Sequence, residues 1–425
     1  MEKNIVYLKQ NNRLLNIIRC NPGISKSTLS EILNVSWPTI SNAIETLKAS
    51  DILSRDSTIQ INPDHAHMIG ISVDAAQIKL CIIDMNFEVI ASGRFKEIIG
   101  SLHIFKTAAG FMFENHITPD SFVCFKTSDN LFDLQGQLDA IMQDIITLVE
   151  NQERFHLNIV AAGLTFTGAV DNTNKKIVKS HNLDFISDKP LGSIIFPNRI
   201  DYFEQKNIHI YADNNSNPSV VAEKYNLYNA ACSNYKYRDK KNIISIYLGT
   251  GIGSGMIFNN RQYHGASNFV GELGHIEVPL YPTPAARSAS AGQACSCGNN
   301  NCLDFRIRHD VFEMNLTDFS AMSTDDIAAF LCEHPEKTDV LSYYIGYIVN
   351  LLINILNPDM IIFTGKFSSF MDKMWLPLYS RLNSNKLSYI RNECTLIASN
   401  LGIKSPSIGA AICSYFDKIK EPVEW

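Results

Sequence analysis

The chain is poor in the features that mark special environments. No apolar run approaches the ~20 residues a bilayer span requires, and the opening Met1-Glu2-Lys3-Asn4 is polar, unlike a secretory leader. Both point to a cytoplasmic protein with no membrane partner. Ten cysteines in 425 residues are too sparse for a disulfide scaffold. There is no low-complexity tract to suggest disorder. A basic surplus is missing too: the net charge is −6, which argues against nonspecific coating of nucleic acid. What remains is an ordinary soluble composition, 45% hydrophobic and 19% charged, in a chain long enough for two or three domains.

The charge that is present falls unevenly. Residues 1–62 hold seven basic against five acidic side chains, so the rest of the chain carries −8. A small basic module on an acidic body is compatible with DNA binding confined to the N-terminus. Within it, Leu14, Leu15, Ile17 and Ile18 recur at helical spacing, and Asn21-Pro22-Gly23 stops that helix. A second helix follows Ser25 and buries Leu29, Ile32 and Leu33. Asn34-Val35-Ser36 makes a turn, and a third helix, capped by Ser36 with Pro38 in its first turn, buries Ile40, Ala43, Ile44 and Leu47. Two short helices across a tight turn have the form of a helix-turn-helix, and residues 52–55 and 58–61 read as the strands of a wing. Residues 1–64 are therefore expected to be a winged helix-turn-helix domain. Thr39, Ser41 and Asn42 are the candidates for base edges, and Lys48 and Arg55 for phosphates. The competing reading is a three-helix protein-interaction module; a polar third helix without an apolar patch weighs against it.

Three cysteines, Cys295, Cys297 and Cys302, flank the turn-forming residues 298–301, and His275 ends the run Gly271-Glu272-Leu273-Gly274-His275. Three thiolates and one imidazole complete a tetrahedral zinc set. A metal held over the loop 275–302 is then structural, since no coordination position stays open. Scattered buried cysteines seldom cluster so tightly.

From residue 65 onward strand and helix alternate. Residues 68–73 and 78–84 read as a hairpin with a further strand at 89–91, a helix covers about 137–151, and another strand runs 159–164. A second strand–turn–strand begins at 243–248, passes through the glycine-rich 249–255 and continues at 256–258. Such a turn is a weak signal and serves equally as a tight strand connection. The repeated pattern suggests two similar lobes with a ligand cleft between them. The apolar run 343–352 reads as a buried helix.

The stretch from Leu248 to His275, with Gly265 and the Gly-Glu-Leu-Gly-His run followed by the cysteine cluster, resembles the ROK family of repressors, open reading frames and sugar kinases. The likeness extends over almost the whole chain. It implies an α/β fold in which residues 65–425 form a two-lobed, actin- or hexokinase-like (ribonuclease H-like) ROK domain for sugar binding and dimerisation, assembled as a homodimer or dimer of dimers. It also implies that His275, Cys295, Cys297 and Cys302 bind zinc, and that Glu272, His275 and Asp304 line the sugar pocket. Asn301 stands where the family usually has glycine, a change that asparagine's tolerance of positive φ accommodates. Asp304 replaces the usual glutamate and shortens that carboxylate's reach.

Kinases of the family take their base from an Asn-Asp pair shortly before an Ala-Glu. Counted back from Ala222-Glu223, Asn214 falls on the asparagine and Asn215 on the aspartate. A carboxamide cannot accept a proton near neutral pH, and Asp213 aims from the wrong Cα to replace it. The kinases' Asp-x-Gly-Gly-Thr-Lys turn is here Ser72-Val73-Asp74-Ala75-Ala76-Gln77, without its glycines and lysine and with Asp74 where phosphates would sit. The turn ending in Gly365-Lys366 keeps one glycine of two. These losses point away from an enzyme and toward a transcriptional regulator, by family weight a repressor, of carbohydrate genes. Its sugar or sugar-derivative effector would bind through Asn214, Asn215, Glu272, His275 and Asp304, with Gly168 near the ring. Its DNA would be a double-stranded, near-palindromic operator. The alternatives are an ATP-dependent sugar kinase with an altered active site, or a regulator controlled by a protein partner such as a sugar transporter component.

Overall fold

Helix ends at the start of the chain follow from their capping residues. Helix α1 spans Asn12–Cys20, α2 Lys26–Leu33 and α3 Trp37–Ala49. The Ser25 hydroxyl accepts the Thr28 N–H at 3.0 Å, the Ser36 hydroxyl accepts that of Thr39 at 3.3 Å, and Asn34 ends α2 in the left-handed region. Leu14, Leu15, Ile18, Leu29, Ile40, Ile44 and Leu47 are buried. Helix α2 buries Leu29 and packs the half-buried Leu33 against the core, while Ile32, also expected there, is 47% exposed. Val35 and Trp37 are exposed as well, against the expectation that this face carries no apolar patch. The wing is also less regular than expected. Two strands are replaced by a single Leu53–Ile61 bridge, with Ser54 N–H bonded to the Gln60 carbonyl and Asn62 N–H to that of Ile52, both at 3.0 Å. Only Ile52, Leu53, Ile59 and Ile61 have a core to face; the polar residues between them bond locally, as Gln60 does to Asp56 at 3.0 Å.

The computed structural model describes residues 11–90, 98, 116–117, 122–229, 235–282, 295, 297–383 and 393–425. Beyond the winged helix lie two sheets built on one plan. The first comprises β1 (His67–Val73), β2 (Gln77–Ile83), β3 (His116–Ile117), β4 (Val123–Lys126), β5 (Ile159–Phe166) and β9 (His209–Asn214), in the order β3-β4-β2-β1-β5-β9. A small sheet of β6 (Ala169–Asp171), β7 (Lys176–Lys179) and β8 (Lys189–Pro190) is attached to it. The second comprises β10 (Ile243–Leu248), β11 (Ile252–Phe258), β12 (Arg261–Tyr263), β13 (Met360–Gly365) and β14 (Thr395–Ala398), in the order β12-β11-β10-β13-β14. Each begins as an antiparallel hairpin and adds parallel strands, β5 and β9 in one lobe and β13 and β14 in the other. Of the strand expected at 89–91, only a Val89–Ile83 bridge is present, and Ala91 lies outside the described residues.

Helix α4 (Leu131–Glu150) starts earlier than its apolar pattern suggests because Asn130 caps it, accepting the Asp133 N–H at 3.0 Å. Helix α5 is Ser216–Asn226, α6 Pro335–Leu356, α7 Met371–Asn383 and α8 Ser405–Ile419. At 22 residues, with a mean hydropathy of 1.4 over an 18-residue window, α6 is by length and composition long and apolar enough to cross a membrane, contrary to the expectation of no such stretch. Tyr344, Ile345, Ile348 and Val349 nonetheless bury its inner face in the second lobe's core.

Helices α5 and α8 pack together between the sheets, and their approach is set by backbone. A Cβ on Gly70 of β1 would lie 1.8 Å from the Ser407 carbonyl oxygen, and one on Gly163 of β5 would lie 2.0 Å from that of Ala410. On α8 itself, a Cβ on Gly409 would lie 2.0 Å from the Pro218 carbonyl oxygen of α5. No side-chain rotation relieves a clash with backbone. Gly409→Ala is therefore expected to destabilise the fold by about 3 kcal/mol or more, measured as a lowered urea midpoint.

Candidate functional site

Parallel strands direct their carboxyl ends at one place, and ligands of α/β sheets bind there. Strands β1, β5, β9 and β10 deliver Asp74, Thr167 with Gly168, Asn214 to Ser216, and Thr250 with Gly251 to a single cleft. The loop after β7 adds His181 and Asn182, and the second lobe adds Gly271, Glu272 and Asp304. About 610 Å³ of space lies in this cleft, the open solvent at its mouth included.

The polar groups in it divide into satisfied and waiting ones. The Asn214 carboxamide oxygen accepts the N–H groups of Ser216 at 3.0 Å and Asn217 at 2.7 Å, capping α5. Asn215 donates from Nδ2 to the Val73 carbonyl at 3.1 Å, while its Oδ1 is buried without a partner. Thr250 Oγ1 is likewise buried and unpartnered. Burial holds the carboxyls of Glu272 and Asp304 above their usual range, Asp304 at about 7. Carboxyl, carboxamide and hydroxyl groups converging on a cavity match the needs of a polyol. Asp213 takes no part: it is fully buried and accepts from Asn214 N–H at 2.7 Å, from Asn217 Nδ2 at 3.3 Å and from the Tyr211 hydroxyl. Gly168 sits at φ 103°, and a Cβ there would lie 2.2 Å from the Lys179 carbonyl oxygen.

Of the six effector candidates, Gly168, Asn214, Asn215, Glu272 and Asp304 line the cleft together, and His275 does not. Its ring meets that of His181 edge-on at 4.5 Å, so His181 is the imidazole at the cleft surface. His181 and Asn182 had no motif to reveal them, whereas Thr250 stood inside the glycine-rich turn and was readable.

Asp74 is the other wall residue with a distinct role. Its Oδ1 accepts the N–H groups of Ala76 and Gln77, each at 2.8 Å, and its Oδ2 accepts from Lys79 Nζ at 2.8 Å. Burial alone would raise this carboxyl, but the Lys79 ammonium and these hydrogen bonds hold it below the ordinary carboxylate range.

Behind the cleft, the donor atoms of His275, Cys295, Cys297 and Cys302 lie within 4.8 Å of one another, with His275 Nδ1 3.6 Å from Cys295 Sγ. Zinc–sulfur bonds of ~2.3 Å give tetrahedral edges of roughly 3.8 Å, so the set fits a zinc ion. The neighbouring backbone is tied across it: Glu277 bridges Cys302, Val278 N–H bonds to the Asn301 carbonyl and Leu303 N–H to that of Ile276, both at 2.9 Å. Asn301 does not use positive φ; its Oδ1 accepts from Arg306 Nη2 at 2.6 Å instead. Residues 283–294 and 296 of this loop lie outside the described residues.

On the winged helix, Thr39 and Asn42 are exposed, and Ser41 is half-buried and accepts from Lys26 Nζ at 3.1 Å. Lys48 Nζ donates to the Asp56 carbonyl at 2.5 Å, and Arg55 pairs with Asp51 at 3.4 Å. Trp37, at the start of α3, is 52% exposed.

The ROK family profile matches residues 135–414, and a profile for winged helix-turn-helix DNA-binding modules matches residues 9–54. The chain is 24% identical over 414 residues to the xylose repressor of Bacillus spizizenii, across 93% of this chain and 92% of that one. The crystal structure of a ROK family transcriptional regulator, a homologue of the E. coli MLC protein, matches 97% of this chain and 98% of its own at a TM-score of 0.67 and 16% identity. A ROK family glucokinase from Streptomyces griseus, solved with glucose and AMPPNP, matches 82% of this chain and 99% of its own at a TM-score of 0.55 and 16% identity. Both kinds of relative share the two-lobed α/β body; with its profile spanning more than half the residues, this chain belongs to the ROK family and carries a winged helix-turn-helix ahead of the ROK domain.

Proposed function

We propose that this chain is a DNA-binding transcriptional repressor of carbohydrate genes, released or retuned by a sugar bound in the cleft, and that it transfers no phosphate. The observation that carries this reading is helix α5. Its first residues form the cleft wall, and in its last turn the Tyr225 hydroxyl donates to Asn16 Oδ1 of α1 at 3.3 Å. Asn16 Nδ2 donates to the Glu424 carbonyl, and Arg19 Nε to that of Met85, each at 2.9 Å. The Arg19 guanidinium lies 3.9 Å from the centre of the Phe87 ring. A ligand that prefers one cleft geometry thus has a packed route to the winged helix, and shifts its DNA-competent population by its differential affinity. The domain boundary in this reading falls at residue 64, with 65–425 as the sensing body. The protein works as a cytoplasmic homodimer or dimer of dimers on a near-palindromic site, Thr39, Ser41 and Asn42 meeting base edges and Lys48 and Arg55 phosphates.

The absence of catalysis rests on Asn215. It stands where a base is needed and cannot take up a proton, and its Nδ2 is engaged by the Val73 carbonyl. Zinc belongs to the structure of the cleft wall: His275, Cys295, Cys297 and Cys302 would hold it, fixing the loop that carries Glu272 and Asp304.

Three outcomes are expected. In fluorescence anisotropy with DNA from upstream of its own and neighbouring genes, Asn42→Ala costs ~1–3 kcal/mol at the preferred site and relaxes base choice, while Lys48→Ala weakens all sequences alike and lowers the salt slope. Incubation with labelled ATP and a hexose panel gives no sugar phosphate, and Asn215→Asp alone does not create it; wild-type turnover abolished by Asn215→Ala would overturn the regulator-only reading. Metal analysis finds one zinc per chain, and Cys302→Ser loses it together with a lowered melting temperature.

A further inference from the structure

The turn between β1 and β2 has the makings of an anion site. Two successive backbone N–H groups, of Ala76 and Gln77, and the ammonium of Lys79 converge on one point at the cleft wall. Such an arrangement receives phosphates and carboxylates elsewhere. Here the anion is the chain's own. All three donors are taken by the Asp74 carboxylate, which lines the cleft while only 9% exposed, and Lys79 beneath it is 2% exposed. Lys366, the other buried lysine near Asp74, gives its Nζ to the carbonyls of Ser320 and Met322, each at 2.8 Å. Among the described residues that line the cleft there is no lysine or arginine, and two further carboxyls, Glu272 and Asp304, face it. A phosphate entering this space finds its donors used and three carboxyl groups around it. The groups still waiting, Asn215 Oδ1 and Thr250 Oγ1, are neutral and suited to hydroxyls.

We infer that Asp74 is the resident anion of the cleft: it closes the phosphate turn from within, excludes nucleotides and phosphorylated sugars, and restricts the ligand to an uncharged, unphosphorylated sugar. The inference rests on the reading of the cleft as an effector site. It also gives the loss of kinase chemistry a cause independent of Asn215, since a nucleotide has no phosphate seat even where a base is restored.

The test compares wild type with Asp74→Ala by thermal shift and calorimetry. The probes are xylose, glucose and N-acetylglucosamine, the 6-phosphates of the two hexoses, inorganic phosphate and Mg-ATP. In wild type a neutral sugar is expected to raise the melting temperature with concentration, and every phosphate-bearing probe to bind at least about tenfold more weakly than that sugar. Asp74→Ala, with Lys79 and the two N–H groups freed, should be stabilised by inorganic phosphate where wild type is not; Asp74→Ser serves if the alanine variant fails to fold. Wild type binding a phosphorylated sugar or Mg-ATP as tightly as a neutral sugar overturns the inference, as does a folded variant that gains no phosphate binding. Should no neutral sugar bind while phosphate still separates variant from wild type, the effector reading fails and the assignment of Asp74 stands.

Discussion

The two lobes are joined through contacts between backbones. Gly70, Gly163 and Gly409 let β1, β5, α8 and α5 approach to distances at which a single methyl group would collide with a carbonyl, and the same device recurs on the other side, where a Cβ on Gly255 of β11 would lie 2.4 Å from the Ser216 carbonyl oxygen. Contacts of this kind are stiffer than side-chain packing, because nothing in them can change rotamer. They hold α5 as a fixed strut between the sheets. The start of α5 is thereby held at the mouth of β9 and its end against α1, so the cleft and the winged helix share one rigid element. Motion that opens or closes the cleft has to displace that strut or bend around it.

The far end of the strut is itself unusual chemistry. Arg19 is 7% exposed, and its partners are the Met85 carbonyl, the Asn16 carboxamide and the faces of Phe87 and Tyr415. A buried guanidinium held by carbonyl oxygens and aromatic faces, with Nη2 left without a partner among the described residues, has a stricter geometric demand than an apolar contact, since a small displacement removes more of its compensation. Interfaces with such demands tend to occupy discrete arrangements rather than a continuum. This is the kind of junction at which a modest change in the tilt of α5 becomes a distinct placement of the winged helix.

How much of this could be read beforehand divides along a physical line. Features decided within a few residues were legible: Ser36 as a cap, the two hairpins, and the gathering of His275 with three cysteines. Features decided by what comes to lie opposite were not. Ile32 obeys helical periodicity yet has no core on its side, and residues 52–61 have strand composition but too little apolar surface to stay paired. Glycine spacing at 249–255 left a ligand loop and a tight strand connection equally open; the turn does both, since Thr250, Gly251 and Gly253 line the cleft while Ser216 and Val220 of α5 press against Gly253 and Gly255. The negative charge of Asp74 was visible in the sequence; that it bonds its own turn was not, because Lys79 reaches it only once the hairpin has formed. His275 was assigned to both the metal and the sugar, and the fold inserts His181 between it and the cleft.

The cysteine cluster is best understood through that insertion. Its four donors join the segment 275–278 to the turn 301–303 by a short ladder of backbone bonds, and the residues on either side of that joint, Glu272 and Asp304, are the carboxyls of the cleft wall. Gly274 sits between them, where a Cβ would lie 2.6 Å from the Ile252 carbonyl oxygen and 3.4 Å from the Asp304 carboxyl carbon. The wall therefore has no slack on its inner side, and on its outer side it is only as firm as the cluster. A metal there would lie outside the cleft lining and would set the separation of two half-buried carboxyls that face the cleft. Affinity in such a site depends on preorganisation more than on the number of contacts, so under the proposed function the cysteine cluster would influence sugar recognition without touching the sugar.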